Sequence, residues 1–168
     1  MPSSSSLAYG ASLEPLFLLV MRDGPLKERA IREMRRLRVP FIAVSSPDEA
    51  VAVHSGVAEQ IVGVIAEHEP GSGMAGANLV RRLDDGSHQL QALLLGKDRS
   101  LMEQECRHLP AETGYLVVPF TDFTFGSRLE SVVGRVSEAT RRMDPVAMHS
   151  ASLRTGPIDS MTGSRAAS

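Results

Sequence analysis

The chain has 168 residues, of which 42% are hydrophobic, and its formal net charge is −2. This length and composition are typical of one ordinary domain with a single buried core. The near-neutral charge and the lack of a lysine- and arginine-rich block argue against nucleic acid as a direct partner. The single cysteine, Cys106, excludes an internal disulfide and a cysteine-rich metal site.

Residues 14–143 are predicted to form the folded domain. The Ser-rich segment 1–13 and the tail 144–168 show no apolar period, so both are predicted to be flexible and disordered. The longest apolar run, residues 16–21, is too short to span a bilayer, and the amino terminus lacks the pattern of a secretory signal. We therefore expect a cytoplasmic protein that does not bind membranes directly.

Within the domain, apolar runs of strand length alternate with segments whose apolar residues recur at helical spacing. Ser46 and Glu49 form a predicted capping box at the start of the second helix. Five continuously apolar strands alternating with five helices predict an α/β fold, a single doubly wound five-stranded parallel sheet of flavodoxin-like topology. The predicted strands are 16–21, 40–46, 61–66, 90–95 and 115–120, and the predicted helices are 25–37, one opening after Ser46, 77–83, 100–108 and 126–142.

The loop after the third strand contains a glycine pattern, because Gly71, Gly73 and Gly76 spell GxGxxG. This pattern cradles phosphates when it directly follows a strand and opens the first βαβ unit. Here residues 67–70 separate it from its strand, and it belongs to the third unit. A small nucleotide- or phosphate-ligand-binding flavodoxin-like domain that uses Gly71 to Gly76 remains the alternative function.

Glu67, His68 and Glu69, with Asp23, form a further candidate, a metal site. Adjacent loop residues seldom converge on one ion, and no second histidine is placed to help. The sequence also shows no GxSxG elbow and no evident Ser/His/Asp arrangement. We therefore expect no metal, no cofactor and no enzymatic activity.

Four segments in chain order resemble the receiver domains of response regulators, the CheY-like family. Residues 19–26 resemble the first-strand segment that ends in acids followed by Pro-Leu, and residues 46–51 resemble the start of the second helix. Pro70 with residues 73–83 resembles the Pro-Gly-Met-Asp-Gly loop and third helix, and residues 114–121 resemble the Tyr-x-x-Lys-Pro-Phe signature. The resemblance implies a CheY-like (βα)5 fold and a role in bacterial-type two-component or phosphorelay signalling.

The resemblance also shows which parts of the phosphotransfer apparatus are missing. The aspartate acceptor position falls on Ala66, and a methyl group offers no nucleophile. Of the acidic pair that holds Mg²⁺ in the family, Arg22 replaces one member and only Asp23 remains. The positions of the hydroxyl and lysine that contact the phosphoryl oxygens fall on Gly96 and Val118. The chain therefore resembles an atypical or pseudo-receiver without aspartyl-phosphate chemistry.

A second register is open at the acceptor loop. If the loop slips by one residue, Glu67 rather than Ala66 lies at the end of the strand. A Glu67 carboxylate paired with Arg22 would then mimic a permanently charged state.

The resemblance further implies where partners bind. Outputs and dimers in the family commonly use the face made by the fourth helix, fifth strand and fifth helix, so the expected partner is another signalling protein (a kinase, regulator or output protein) or a second copy of the chain. Tyr115 falls at the family's switch aromatic, either as an exposed contact or packed at the strand edge. The expected face comprises Arg99, Met102, Glu103, Tyr115, Pro119, Phe120, Phe123 and Arg128, with Phe125 and Ser131 as further candidates.

Overall fold

A computed structural model of the chain describes residues 14–86, 90–110 and 113–143. The two segments expected to be flexible, 1–13 and 144–168, therefore lie outside the described residues. In chain order the elements are β1 (Leu16–Val20), α1 (Pro25–Arg36), β2 (Phe41–Val44), α2 (Pro47–Val57), β3 (Ile61–Glu69), a 3-10 turn (Pro70–Ser72), β4 (Met74–Ala75), α3 (Gly76–Leu83), β5 (Gln91–Gly96), α4 (Arg99–Cys106), β6 (Thr113–Val117) and α5 (Asp122–Met143).

The sheet confirms the predicted α/β fold class. Five parallel strands lie in the order β2-β1-β3-β5-β6, so the predicted fourth and fifth strands are β5 and β6. Each of the three central strands has a neighbour on both sides. Their carboxyl ends meet at one edge of the sheet, where ligands and chemistry sit in open α/β folds.

The sequence did not predict the two-residue strand β4. It pairs antiparallel with the end of β3, through His68↔Ala75 and Glu69↔Met74. Gly73, at φ 81°, allows the chain to reverse between the two segments. Because β4 supplies backbone partners, β3 continues to Glu69, three residues beyond the predicted end.

The predicted cap of α2 is present in altered form. Ser46 Oγ accepts a hydrogen bond from the Glu49 backbone N–H at 3.2 Å. The Glu49 carboxylate reaches back one residue further than a capping box requires, and accepts from the Ser45 backbone N–H at 3.1 Å. Both ends of the motif therefore satisfy backbone donors at this helix start.

Helix α5 begins at Asp122, four residues before the predicted start. Thr121 explains the difference, because its Oγ1 accepts from the Thr124 backbone N–H at 3.1 Å and so caps the helix. Phe123 and Phe125 consequently lie in the first turn of α5 and not in the preceding loop, where they were expected.

Two apolar clusters cover the two faces of the sheet. Leu18 belongs to the cluster under α2, α3 and α4, and the next residue, Leu19, belongs to the cluster under α1 and α5. Successive strand side chains point to opposite faces, so a strand covered on both sides must be continuously apolar. In the part of the chain that the structure describes, no helix is long and apolar enough to cross a membrane.

Candidate functional site

Arg22 occupies the centre of the edge where β1 and β3 end. Its Nη2 donates to Glu67 Oε1 at 2.6 Å and also to Glu69 Oε2, and its backbone N–H donates to Glu67 Oε2 at 3.1 Å. Lys97, after β5, lies 3.5 Å from the Glu69 carboxylate. The hydrogen bond from Arg22, with a smaller contribution from Lys97, lowers the pKa of Glu69. Two cations thus hold this acidic strand end in its charged form.

The remaining member of the acidic pair, Asp23, has a cation of its own. Lys27 Nζ donates to Asp23 Oδ1 at 2.8 Å, and Ser45 Oγ donates to the same oxygen at 2.9 Å. These contacts, with Lys27 first, lower the pKa of Asp23. Lys27 is largely buried, and its Nζ also donates to Ser45 Oγ at 2.9 Å. Asp23 therefore faces Lys27 and Ser45, and the charge of its carboxylate is already balanced by Lys27.

Ala66 and Glu67 point to opposite faces of β3. Ala66 is fully buried in the cluster on the α3 side, and pairs with Val20 of β1 in the sheet. A Cβ added to Gly76 would lie 3.1 Å from the Ala66 methyl carbon, so α3 packs directly on this position. The Glu67 carboxylate instead turns to Arg22. The pairing expected from the slipped register, Arg22 with Glu67, is present in the structure.

The two positions that would contact phosphoryl oxygens meet through their backbones. The Val118 N–H donates to the Gly96 carbonyl at 2.8 Å. A Cβ added to Gly96 would lie 2.8 Å from the His68 carbonyl oxygen and 2.8 Å from Met102 Sδ. Gly96 therefore leaves no space for the hydroxyl-bearing side chain that the family carries here, and the half-buried Val118 offers no charge.

The glycine loop is closed against the strand end. Gly76, the first residue of α3, packs so tightly that an added Cβ would lie 2.7 Å from the Glu67 carbonyl oxygen. The next backbone N–H, of Ala77, donates to His68 Nδ1 at 3.1 Å. A phosphate at a helix start needs such N–H groups free. The arrangement therefore disfavours the phosphate-cradle interpretation of Gly71, Gly73 and Gly76.

His68 is the residue whose role the sequence did not reveal. It is only 4% exposed, and burial, the largest influence, lowers its pKa. Its burial follows from the alternation of side chains along a strand. Because β3 extends to Glu69, the His68 side chain lies on the same face of β3 as Ala66, the face that α3 covers. Within the described ranges 14–86, 90–110 and 113–143, no group of three or more His, Cys, Asp or Glu side chains is placed to hold a metal ion.

The expected interaction face is corrected at two residues. Met102 is 1% exposed, because it lies on the side of α4 that packs against the sheet. Phe125, in the first turn of α5, is also buried. Phe123 is 86% exposed, and is the only large hydrophobic residue in the described part of the chain that stands fully in solvent. The exposed members of the expected set are Arg99, Pro119, Phe123, Arg128 and Ser131.

The other aromatic residues of that face are held within the domain. Tyr115 is half-buried and its hydroxyl donates to Glu103 Oε1 at 2.9 Å, a contact that raises the pKa of Tyr115. Phe120 stacks on Phe125 with ring centroids 5.5 Å apart, and the Arg29 guanidinium lies 5.3 Å from the Phe120 centroid. These contacts fix both rings and leave Phe123 as the free aromatic.

Comparison with known proteins gives matches among solved structures. No protein-family model matches the sequence, and no curated protein matches it. The signal receiver domain of an HD domain-containing protein from Pseudomonas fluorescens Pf-5 has a TM-score of 0.64 and 19% identity, over 78% of this chain and 95% of that one. A response regulator receiver protein from Burkholderia phymatum has a TM-score of 0.56 and 27% identity, over 72% and 96%.

This chain has the fold of a response-regulator receiver domain. A receiver domain protein from Clostridium thermocellum, with a TM-score of 0.59 and 14% identity over 72% of this chain and 95% of that one, agrees. The resemblance to the CheY-like family and the fold class are confirmed. The neighbours are receiver domains, and they show that this chain shares their fold.

Proposed function

We propose that this protein is a phosphorylation-independent, receiver-like protein-interaction module of bacterial-type two-component or phosphorelay signalling. The observation that carries the proposal is the Arg22 guanidinium, which is bound between Glu67 and Glu69 where the phosphotransfer site of a receiver lies. Mg²⁺ needs oxygen ligands, of which one or two usually come from carboxylates. Here Arg22 stands in one position of the acidic pair, and its guanidinium is paired with the carboxylates of Glu67 and Glu69.

Three further features of the site oppose aspartyl-phosphate chemistry. The methyl group of Ala66 has no nucleophile and faces the core, not the site. Gly96 and Val118 supply neither the hydroxyl nor the cation that would stabilise charge on a transferring phosphoryl group. Both Glu67 oxygens accept hydrogen bonds from Arg22 and are not free to attack.

The same contacts support a single, constitutive signalling conformation. We call Arg22, Glu67, Glu69 and Lys97 the charge clamp. It joins the segment after β1, the end of β3 and the segment after β5. Because all its charges belong to the chain, no phosphoryl group or metal ion is required to hold these segments together.

Output then depends on a binding surface. Exposed aromatic residues are typical anchors of protein interfaces, and Phe123 stands at the start of α5 with Pro119 and Arg128 also exposed. The proposed partner is a kinase, regulator or output protein of a signalling pathway, or a second copy of this chain. Capture from a lysate of the native cell, with Phe123→Ala beside the exposed control variant Glu59→Ala, which lies outside the expected face, identifies the partner and tests the anchor.

Incubation with a small phosphodonor and Mg²⁺ tests the chemistry. A phosphorylatable receiver serves as the positive control, and intact mass is the readout. We expect the control to gain an acid-labile phosphoryl group and this chain to gain none. An acid-labile adduct on this chain would refute the proposal.

A thermal-shift screen addresses the nucleotide-binding alternative. A ligand that binds the folded state raises the midpoint of unfolding by mass action. Because His68 already occupies the Ala77 N–H, we expect no shift with mononucleotides or dinucleotides. A concentration-dependent rise that is lost in Gly73→Ala would favour the alternative function.

A further inference from the structure

A buried histidine connects the end of β3 to the start of α3. His68 Nδ1 accepts the Ala77 backbone N–H at 3.1 Å. Its Nε2 is buried and has no hydrogen-bond partner among the residues that the structure describes. The imidazole is therefore held by one bond, to the first turn of a helix that also packs on Ala66.

This geometry requires a neutral ring. A neutral histidine has one donor and one acceptor nitrogen, so a Nδ1 that accepts places the proton on Nε2. Protonation would give both nitrogens a hydrogen, and the Nδ1–H would then point at the Ala77 N–H. The bond to α3 would become a repulsive contact between two donors.

The charged groups around His68 do not outweigh the effect of burial, which disfavours an imidazolium. Arg81 of α3 and Glu105 of α4 face it, but they pair with each other at 2.7 Å. On β4 the residue paired with His68 is the uncharged Ala75, and on β5 Gly96 packs against the His68 backbone carbonyl. The carboxylates of Glu67 and Glu69 lie on the opposite face of β3 and are bound by Arg22.

We propose that His68 is a pH-sensitive latch, which holds the first turn of α3 and strand β4 against β3. Mild acidification releases this latch. The latch is formed by the buried Nδ1 acceptor, the Ala77 donor and the unpartnered Nε2. It does not depend on the absence of phosphorylation. Its release would loosen the strand end that presents Glu67 and Glu69 to Arg22, and so links local pH to the charge clamp.

The direction of the pH effect follows from proton linkage. In the opened segment His68 regains the ordinary histidine pKa of 6.5, whereas burial lowers the pKa in the closed state. Opening therefore takes up a proton, and acidification favours it. Below pH 6.5 the opened population rises by up to about tenfold for each pH unit, until the closed state also titrates.

Amide hydrogen exchange of the whole chain, followed residue by residue by NMR, tests the latch. Between pH 7.5 and pH 5.5 we expect the protection factor of the Ala77 amide to fall about tenfold. Exchange at Ala77 should occur through a local opening, so its protection factor should stay below that of the central-strand amide Leu93 at both pH values. Equal protection factors at Ala77 and Leu93 would show that Ala77 exchanges by global unfolding and would overturn the local latch.

Two variants separate His68 from the other histidines. His68→Gln keeps a neutral acceptor but cannot titrate, so the pH dependence at Ala77 should disappear. His54→Gln, in the half-buried part of α2, should behave as the wild type. Persistence of the effect in H68Q would overturn the proposal.

A measurement on the wild type alone covers the case in which H68Q fails to fold. The ring ¹⁵N shifts of His68 should report the neutral Nε2–H form in the closed state at pH 5.5. A His68 that becomes an imidazolium near pH 6.5 while Ala77 stays protected would contradict the latch.

Discussion

Replacement of Arg22 by aspartate is the most direct test of the charge clamp. Arg22→Asp removes the guanidinium that Glu67 and Glu69 bind, and adds a carboxylate beside those two. If the guanidinium stands in for a metal ion, this one change should create a site for a divalent cation. The wild type should have none.

The expected cost without a cation can be derived from the Arg22–Glu67 pair. Glu67 is 14% exposed but Arg22 is 42% exposed, so solvent screens much of the attraction. Loss of such a pair costs about 1 kcal/mol of unfolding free energy. Repulsion between the R22D carboxylate and Glu67 adds roughly 1 kcal/mol at about 4 Å in surroundings close to water. We therefore expect R22D to be less stable by about 2 kcal/mol.

A divalent cation should return most of this loss. Mg²⁺ at ten times its Kd stabilises the folded state by about 1.4 kcal/mol. Urea unfolding in 0 to 20 mM MgCl₂ measures the change, and a MgCl₂ series at constant ionic strength separates binding from screening. Arg32→Asp, on the exposed face of α1, makes the same change of charge away from the site and is the matched control.

Two results would refute the reasoning. If the wild type gains as much stability from Mg²⁺ as R22D does, the guanidinium does not exclude the ion. If R22D gains no more than Arg32→Asp, the carboxylates at the end of β3 do not form a cation site even when they are freed.

Further substitutions test the positions around the site and the first turn of α5. Ala66→Asp should lower the free energy of unfolding in urea by more than about 3 kcal/mol, because it buries an unpaired carboxylate against Gly76. A phosphodonor should still give no adduct, and near-wild-type stability would show that position 66 faces the site. Gly96→Ser should lower the free energy of unfolding by about 1–3 kcal/mol, because the added side chain overpacks the 2.8 Å contacts. Gly56→Ser, on an open helix surface, is the control, and an equal loss of stability in this variant would contradict the prediction. Phe123→Ala should change the free energy of unfolding by less than about 0.5 kcal/mol but weaken partner capture, and undiminished capture would show that Phe123 is not an anchor. The buried Phe125 differs, because Phe125→Ala should cost about 3–5 kcal/mol of stability.

The sequence predicted the sheet because its strands are buried on both faces. Such strands read as continuous apolar runs, and Leu18 and Leu19 on opposite faces show why. The start of α5 was placed too late because the Thr121 cap precedes the apolar periodicity that defines a helix in sequence. The end of β3 was placed too early because its last residues, Glu67, His68 and Glu69, are polar. Their strand geometry depends on β4, which is only two residues long.

The same polar strand end decided how much of the site could be predicted. Motif counting put the acceptor position at Ala66, and a shift of one residue puts it at Glu67. In a strand, a shift of one residue moves a side chain to the opposite face. Counting from Pro70 could not fix that register, because two residues are inserted in the loop. The tight contact of Gly76 with the Ala66 methyl fixes it in the structure: Ala66 faces α3, and Glu67 faces Arg22.

The alternation of β3 also explains how one strand end can serve two purposes. Glu67 and Glu69 lie on one face and are bound by Arg22, while His68 lies between them on the other face and binds Ala77. Because the three residues are consecutive, neither face can move without the backbone that carries the other. In a phosphorylated receiver, a phosphoryl group is attached covalently at this strand end. Under the proposed function, the carboxylates of this strand end are paired with Arg22, and the proposed input is the proton on His68.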